Sequence, residues 1–475
     1  MTLSFSEFQA IVMAGGKGSR MTELTAENPK SLLPVGNLPL LWYPLQLLER
    51  SHFQDAIVVV AETFKAEMQS TYEQYSQGKN KLSIKVEFIG IPAVDDWGTA
   101  DSLRHLYESN RIKRDVVVVS CDLITDINLI NVLDLFRKHN SSLTSLFFAG
   151  GIPKYTSIAP GSKEKKPERD LIGIDPVTSR LVLVASSSDY DNELPLSQAL
   201  LRKHGKVQIH SKLLDAHLYI IKHWVCQYLA TNKSISTIKG ELLPYIVKKQ
   251  MASKVASDGN KQETEKNIDS SDLKTDINSL SKEDDWLKKI RDMSSYNDHT
   301  GDWFAPYHGD HIRCYAHIES EESFGARVNT VSAYCYVNRE MKKRWSSITK
   351  QQPEQPNAEA SDQPDQPLKG AAKDLAETCL ISDQVEISPR THIISTNIGA
   401  DSKIASKSKI INCIIMPGVK IGEKCDLKNC IIFDEASVED ECSLADCIVG
   451  KRFIVPTKER QKSKVLTDID HLMEI

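Results

Sequence analysis

The chain has 475 residues and a formal net charge of -5, so it carries no global basic field that would recruit nucleic acid through counterion release, and no direct nucleic-acid partner is expected. No run of about 18 apolar residues occurs, which predicts no transmembrane helix and no membrane partner. The first residues carry Glu7 without a basic start, and the apolar run behind them is broken by Gly15-Gly16-Lys17; no signal peptide is predicted, the ten cysteines are expected to be reduced, and the expected location is the cytosol of the cytoplasm.

Taken in chain order, residues 10–14 predict a short strand, 39–50 a helix, and 57–61 and 84–89 two further strands. Residues 99–109 read as a helix with Leu103, Leu106 and Tyr107 on one face. Four consecutive valines at 116–119 predict a strand buried on both faces. Leu129, Val132, Leu133 and Phe136 mark a helix at i, i+3, i+4, i+7, and 143–148 is strand again. This alternation predicts an α/β, Rossmann-like, mostly parallel sheet with helices on both faces, over residues 1–250. Residues 251–301 are polar and read as a linker. Residues 302–345 read as a small connecting subdomain with β-like stretches at 312–317 and 328–337. A second, Pro/Gln-rich linker covers 346–375.

Residues 376–475 hold a repeat. Ile398, Ile415, Ile432 and Val449 are 17 apart, as are Cys413, Cys430 and Cys447, and Cys425 and Cys442. Within one period the aliphatic positions step by five or six, through Ile404, Ile410, Ile421, Leu427, Val438 and Leu444. Three short strands per turn, each placing one aliphatic inward, make a triangular coil. Stacked coils give a parallel β-helix, and small, buried cysteine suits its ladder positions. The same period accounts for Cys425, Cys430, Cys442 and Cys447 without a metal.

Three motifs bear on chemistry. Gly15, Gly16 and Gly18, followed by Ser19 and Arg20, lie just after the first strand, with Lys30 and the run Leu32-Leu33-Pro34-Val35 close behind. A glycine-rich turn lets backbone N–H groups approach phosphate oxygens, and Arg20 and Lys30 would add positive charge; the alternative is a turn that needs glycine for its own shape. Gly98-Thr99 opens a helix that would either contact a base or sugar or be an ordinary helix start. Asp122 follows the valine strand, where open α/β sheets bind ligands, and is the candidate metal ligand; the alternative is a strand-terminating carboxylate that caps the next turn. His308, Asp310 and His311 read as surface polar structure.

Together these motifs resemble the sugar-nucleotide pyrophosphorylase superfamily and, within it, the gamma-subunit family of translation initiation factor 2B. The stretches that carry the likeness are 116–126 (VVVVSCDLITD), 98–104 (GTADSLR), 214–219 (LDAHLY), 312–317 and 471–475 (HLMEI). The resemblance implies a nucleotidyltransferase-like domain followed by a left-handed β-helix. It also implies a supporting rather than catalytic role in guanine-nucleotide exchange. The implied partners are the epsilon subunit, the remaining subunits of that factor, and translation initiation factor 2 as the substrate GTPase.

Departures from the active members point the same way. Cys121-Asp122 stands for their Gly-Asp, no lysine occurs between Leu171 and Leu200 where they hold the sugar phosphate, and Asp215-Ala216-His217 puts an imidazole where glycine would admit the sugar. No catalytic residue is therefore expected. Gly15, Gly16, Gly18, Ser19, Arg20 and Lys30 are read as a vestigial nucleotide-binding loop and Asp122 as a vestigial metal ligand. No cofactor is expected beyond residual nucleotide or sugar-nucleotide binding. The rival readings are an active pyrophosphorylase of the mannose-1-phosphate guanylyltransferase type and a non-catalytic sensor of such ligands.

Overall fold

The computed structural model describes residues 7–16, 18–26, 28–77, 81–92, 97–149, 170–186, 193–194, 196–251, 277–281, 285–294, 306–349 and 378–467. Lys17, most of the expected linker 251–301, the Pro/Gln-rich segment from 350 onward and the end at 471–475 lie outside the described residues.

Ten strands form one sheet: β1 (Phe8–Met13), β2 (Asp55–Ala61), β3 (Lys85–Ile91), β4 (Asp115–Ser120), β5 (Leu143–Phe148), β6 (Asp170–Asp175), β7 (Arg180–Ser186), β8 (Gln208–His210), β9 (Leu214–Ile221) and β10 (Cys314–Glu319). Their spatial order is β8-β6-β7-β10-β5-β9-β4-β1-β2-β3. The strands expected from the βα alternation pair in parallel, β3 with β2, β2 with β1 and β1 with β4. Strand β9 then enters antiparallel between β4 and β5, and β6, β7 and β8 extend the far side antiparallel. The valines of β4 are buried on both faces, because neighbours flank the strand and helices cover the sheet. Among those helices are α1 (Trp42–Arg50), α2 (Lys65–Gln77), α3 (Thr99–Glu108), α4 (Ile130–His139), α5 (His223–Thr231) and α6 (Leu243–Lys249).

Three expectations change. The helix read over 39–50 begins at Trp42, because Leu38–Pro39 pairs with Pro34–Val35 in a short hairpin. Residues 328–337, read as β-like, are instead largely the start of α7 (Val331–Thr349). Val331, Tyr334, Val337, Met341, Trp345 and Ile348 are all buried along its length, and that helical stripe outweighs the strand preference of single valines and tyrosines. The segment 302–345 is also not set apart from the first domain. Its strand β10 lies between β7 and β5, in parallel register with β5 from Cys314↔Leu143 to Glu319↔Phe148.

From Leu380 to Leu466 the chain winds through three parallel sheets of six, five and five short strands. The 17-residue register holds throughout, for example Ile398↔Ile415, Ile415↔Ile432 and Ile432↔Val449, as in the hexapeptide repeats of a left-handed β-helix. Burying one such aliphatic stabilises the stack by about 1.5–3 kcal/mol, and a single coil has no partner to bury it against. The corners are left-handed: Ser395, Asn412, Asn429, Asp446 and Ser463 all have φ between 49 and 54° at the same 17-residue spacing. Cys413, Cys430 and Cys447 are buried and unbridged, and each thiol meets a backbone carbonyl two residues back at 3.2–3.3 Å.

The β-helix presents a second ladder outward, toward the first domain: Leu380, Asn397, Ile414, Ile431, Ile448 and Val465, again 17 apart. Ile414, Ile431 and Ile448 are buried in the same core as α1 and α7. The one polar rung, Asn397, donates to the side-chain oxygen of Asn338 on α7 at 2.7 Å, and that oxygen also accepts the Gly36 N–H at 3.0 Å. Arg50, at the end of α1, donates to the carbonyls of Ile348 and Thr125 and so caps the C-terminus of α7. Among the described residues no helix is long and apolar enough to cross a membrane.

Candidate functional site

The glycine loop leaves β1 at the C-terminal ends of the parallel strands. Gly18 has φ +70°, and a Cβ there would sit 2.8 Å from the Thr25 methyl, so turn shape and packing both require glycine. Ser19 and Arg20 are exposed, and Gly16 faces open space, where an added Cβ would meet nothing within 4 Å.

Lys30 and Asp122 are brought together. The Lys30 ammonium lies 2.6 Å from Asp122 Oδ2. A third residue, which sequence reasoning missed, completes the cluster. Arg327 closes on the same carboxylate as a fork, Nε to Oδ1 at 3.1 Å and Nη2 to Oδ2 at 2.9 Å. It arrives on the strand Gly325–Arg327, which pairs antiparallel with Leu123–Thr125 just beyond Asp122. Burial alone would raise the Asp122 carboxyl, but Arg327 and then Lys30 outweigh it and hold it well below the usual carboxylate range. A lone arginine 205 residues away in a short apolar run carries no motif; its only signal is a charge inside a strand-like stretch.

Asp122, read above as a vestigial metal ligand, is held by two cations of the chain. Both carboxylate oxygens are taken by cations, whereas a magnesium ion needs a near-octahedral set of oxygens. Among the described residues no group of three or more His, Cys, Asp or Glu side chains is arranged to hold an ion.

Strand β9 brings His217 within electrostatic reach of the same cluster. The β9–β5 register breaks between Asp215 and Tyr219, and His217 sits in that irregularity at φ 49°, a left-handed conformation that glycine would adopt more easily. Burial pushes the His217 imidazole well below its usual 6.5, and Arg327 adds to the effect. Asp215 accepts from the His217 N–H and the Tyr219 hydroxyl, both at 2.8 Å, and burial raises its carboxyl. Its neighbour Lys239 is paired with Asp170 at 2.9 Å.

The helix start at Gly98-Thr99 is closed by protein. Ala100 N–H donates to the Ser236 carbonyl at 2.9 Å, Thr99 Oγ1 accepts from Ile238 N–H, and Gly98 N–H is taken by Asp101. A Cβ at Gly98 would lie 2.0 Å from the Ser236 oxygen, so the glycine serves this close backbone contact. Of the polar group read as surface structure, Asp310 holds the fully buried Arg180 at 3.1 Å and Lys203 at 2.7 Å. A groove of about 650 Å³ lies at the opposite ends of the parallel strands, around Asp55, Lys85, Glu87 and Arg111, and contains none of the predicted site residues.

Residues 9–156 match the nucleotidyl transferase family, and residues 380–461 match the GlmU-like C-terminal hexapeptide family. Among curated proteins, the chain is similar to the translation initiation factor eIF2B subunit gamma of Schizosaccharomyces pombe, 38% identical over 246 residues, which is 51% of this chain and 52% of that protein. It is similar to the subunit of the same name from Caenorhabditis elegans, 34% identical over 51% of this chain and 59% of that one. A third likeness, to the Dictyostelium discoideum subunit, is lower at 24% identity but runs through both domains, over 84% of this chain and 89% of that protein. The matched stretch thus spans about half the length of the first two relatives.

Proposed function

We propose that this chain is a gamma-type, non-catalytic subunit of the eIF2B guanine-nucleotide exchange complex. It pairs with the epsilon subunit in the cytosol and supports GDP/GTP exchange on translation initiation factor 2. The likeness to the Dictyostelium discoideum gamma subunit over 84% of this chain, beside the half-chain likeness to two others, supports the place in the complex. The observation that carries the non-catalytic part is the Lys30–Asp122–Arg327 cluster, in which the strand-end carboxylate is spent on internal cations. His217 and the closed Gly98 helix start support it from the sugar and base sides. A nucleotidyl transfer site must hold its cation and its triphosphate where charge develops; here those groups hold one another. The chain needs no cofactor, and its contribution is interface area and rigidity.

The test is purification of the tagged full chain from its native cytosol with identification of what comes with it. Recovery of the epsilon and other eIF2B subunits, and exchange activity that appears only in the presence of epsilon, is the expected result. Full exchange by the isolated chain, or pyrophosphate release from a nucleoside triphosphate and a sugar phosphate abolished by Arg20→Ala, would overturn it.

A further inference from the structure

We propose that the Arg327 guanidinium is the resident cation of this site: it holds the place at Asp122 that a divalent ion would need, and it thereby ties the nucleotidyltransferase-like site to the β-helix without any bound ligand. The local charge argues for it. One carboxylate faces two cations, so the cluster is already net positive, and an arriving divalent ion would be repelled until both donors had left. The nearby carboxylates cannot make up the deficit. Both Asp215 oxygens accept hydrogen bonds within the chain, and Asp170 holds Lys239.

The connection to the β-helix is short. Val328 N–H donates to the Asp122 carbonyl at 2.9 Å, and α7 begins three residues later. On α7, Asn338 meets Asn397 of the β-helix, and Trp345 and Met341 pack beside Gly36. From the other side, Lys30 opens the segment that leads to the Pro34–Pro39 hairpin and the same Gly36. Both arms of the ion cluster therefore converge on the domain junction. A metal at this position would leave and return with its free concentration, whereas a guanidinium on the same chain is always present. The docking helix is thus ordered regardless of metal or nucleotide, as a structural subunit requires.

The full-length chain is compared with Arg327→Met, Arg327→Lys and Asp122→Asn by thermal unfolding in EDTA, magnesium chloride or manganese chloride, by manganese EPR, and by hydrogen exchange. The wild type is expected to melt at the same temperature in all three buffers and to bind no manganese. Arg327→Met is expected to exchange roughly tenfold or more faster across 328–345, with Arg327→Lys recovering part of that protection because it keeps the charge and loses only the fork. Should Arg327→Met fail to fold, Arg327→Lys and the wild-type metal titrations still decide. Metal stabilisation of the wild type that Asp122→Asn abolishes would overturn the proposal. So would unchanged exchange across 328–345 in the arginine variants. Neither result depends on which subunits co-purify, so it stands apart from the test of complex membership.

Discussion

Asn338 lies on α7 with 2% exposure, and its side-chain oxygen accepts from both Gly36 N–H and Asn397 Nδ2. Replacing it with leucine removes that acceptor at nearly the same volume. Gly36 N–H is then buried without a partner, while Asn397 retains only its bond to the Asn338 backbone carbonyl at 3.1 Å. At about 1–3 kcal/mol for an orphaned buried donor, plus part of a second, Asn338→Leu should cost roughly 2–4 kcal/mol. Asn397→Ile restores the aliphatic rung found at Ile414, Ile431 and Ile448, and leaves Asn338 still bonded to Gly36. It should cost only about 1 kcal/mol. In the double variant the Asn397 donor no longer exists, so only the Gly36 N–H is orphaned, at about 1–3 kcal/mol, and the total should fall about 2 kcal/mol short of the sum of the singles. Equilibrium urea unfolding followed by far-UV circular dichroism measures all four corners of this cycle. Strict additivity, or an Asn338→Leu variant within about 0.5 kcal/mol of wild type, would refute the claim that this polar seam docks the two domains.

The remaining predictions concern the site and the stack. His217 is held neutral by burial and by Arg327, so the unfolded chain takes up a proton there before the folded one does. Its contribution to stability is full above about pH 6.5 and declines as the pH falls below that value; His217→Leu should flatten the pH profile there, and identical profiles would count against the buried imidazole. The Asp122 contribution, with its folded carboxyl depressed chiefly by Arg327 and Lys30, is lost only at lower pH, below about 4, and should persist in the His217 variant because those two cations remain. Gly98→Ala would drive a methyl into the Ser236 carbonyl and should destabilise the chain by ~2 kcal/mol or more with faster proteolysis around 234–238; unchanged cleavage would argue against the contact. Ile432→Ala opens a cavity between the Ile415 and Val449 rungs, at full burial, and should cost about 3–4 kcal/mol by urea unfolding, whereas a loss under 1 kcal/mol would mean that the ladder does not stabilise the coil.

What could be read from the sequence was local or periodic. The strand-helix alternation up to Phe148 follows from apolar spacing, and the inner β-helix ladder follows from a repeat that survives substitution of Ile by Val or Leu. Asp122 and Lys30 were legible because each stands in a motif near a strand end. Arg327 was not, because its partner lies across the fold and an isolated arginine has no spacing to betray it. The outer ladder of Leu380, Ile414, Ile431 and Ile448 shares the period of the inner one and was hidden by it. Its one misfit, Asn397, was the clue: a polar rung in an aliphatic column marks a place where the column meets a polar partner. The β10 strand was seen as β-like at 312–317, but a six-residue run does not say which sheet it will join.

The position of β10 also governs the order in which the chain can be made. It lies between β7 and β5, so until residues 314–319 are synthesised the sheet exists as two separate pieces, β8-β6-β7 and β5-β9-β4-β1-β2-β3. The last earlier strand, β9, ends at Ile221, about one hundred residues upstream of Glu319. At typical elongation rates the nascent chain waits roughly 5–20 s with two open strand edges before the missing member arrives. That interval exposes β5 and β7 to wrong partners, and it is when a chaperone would have most to protect.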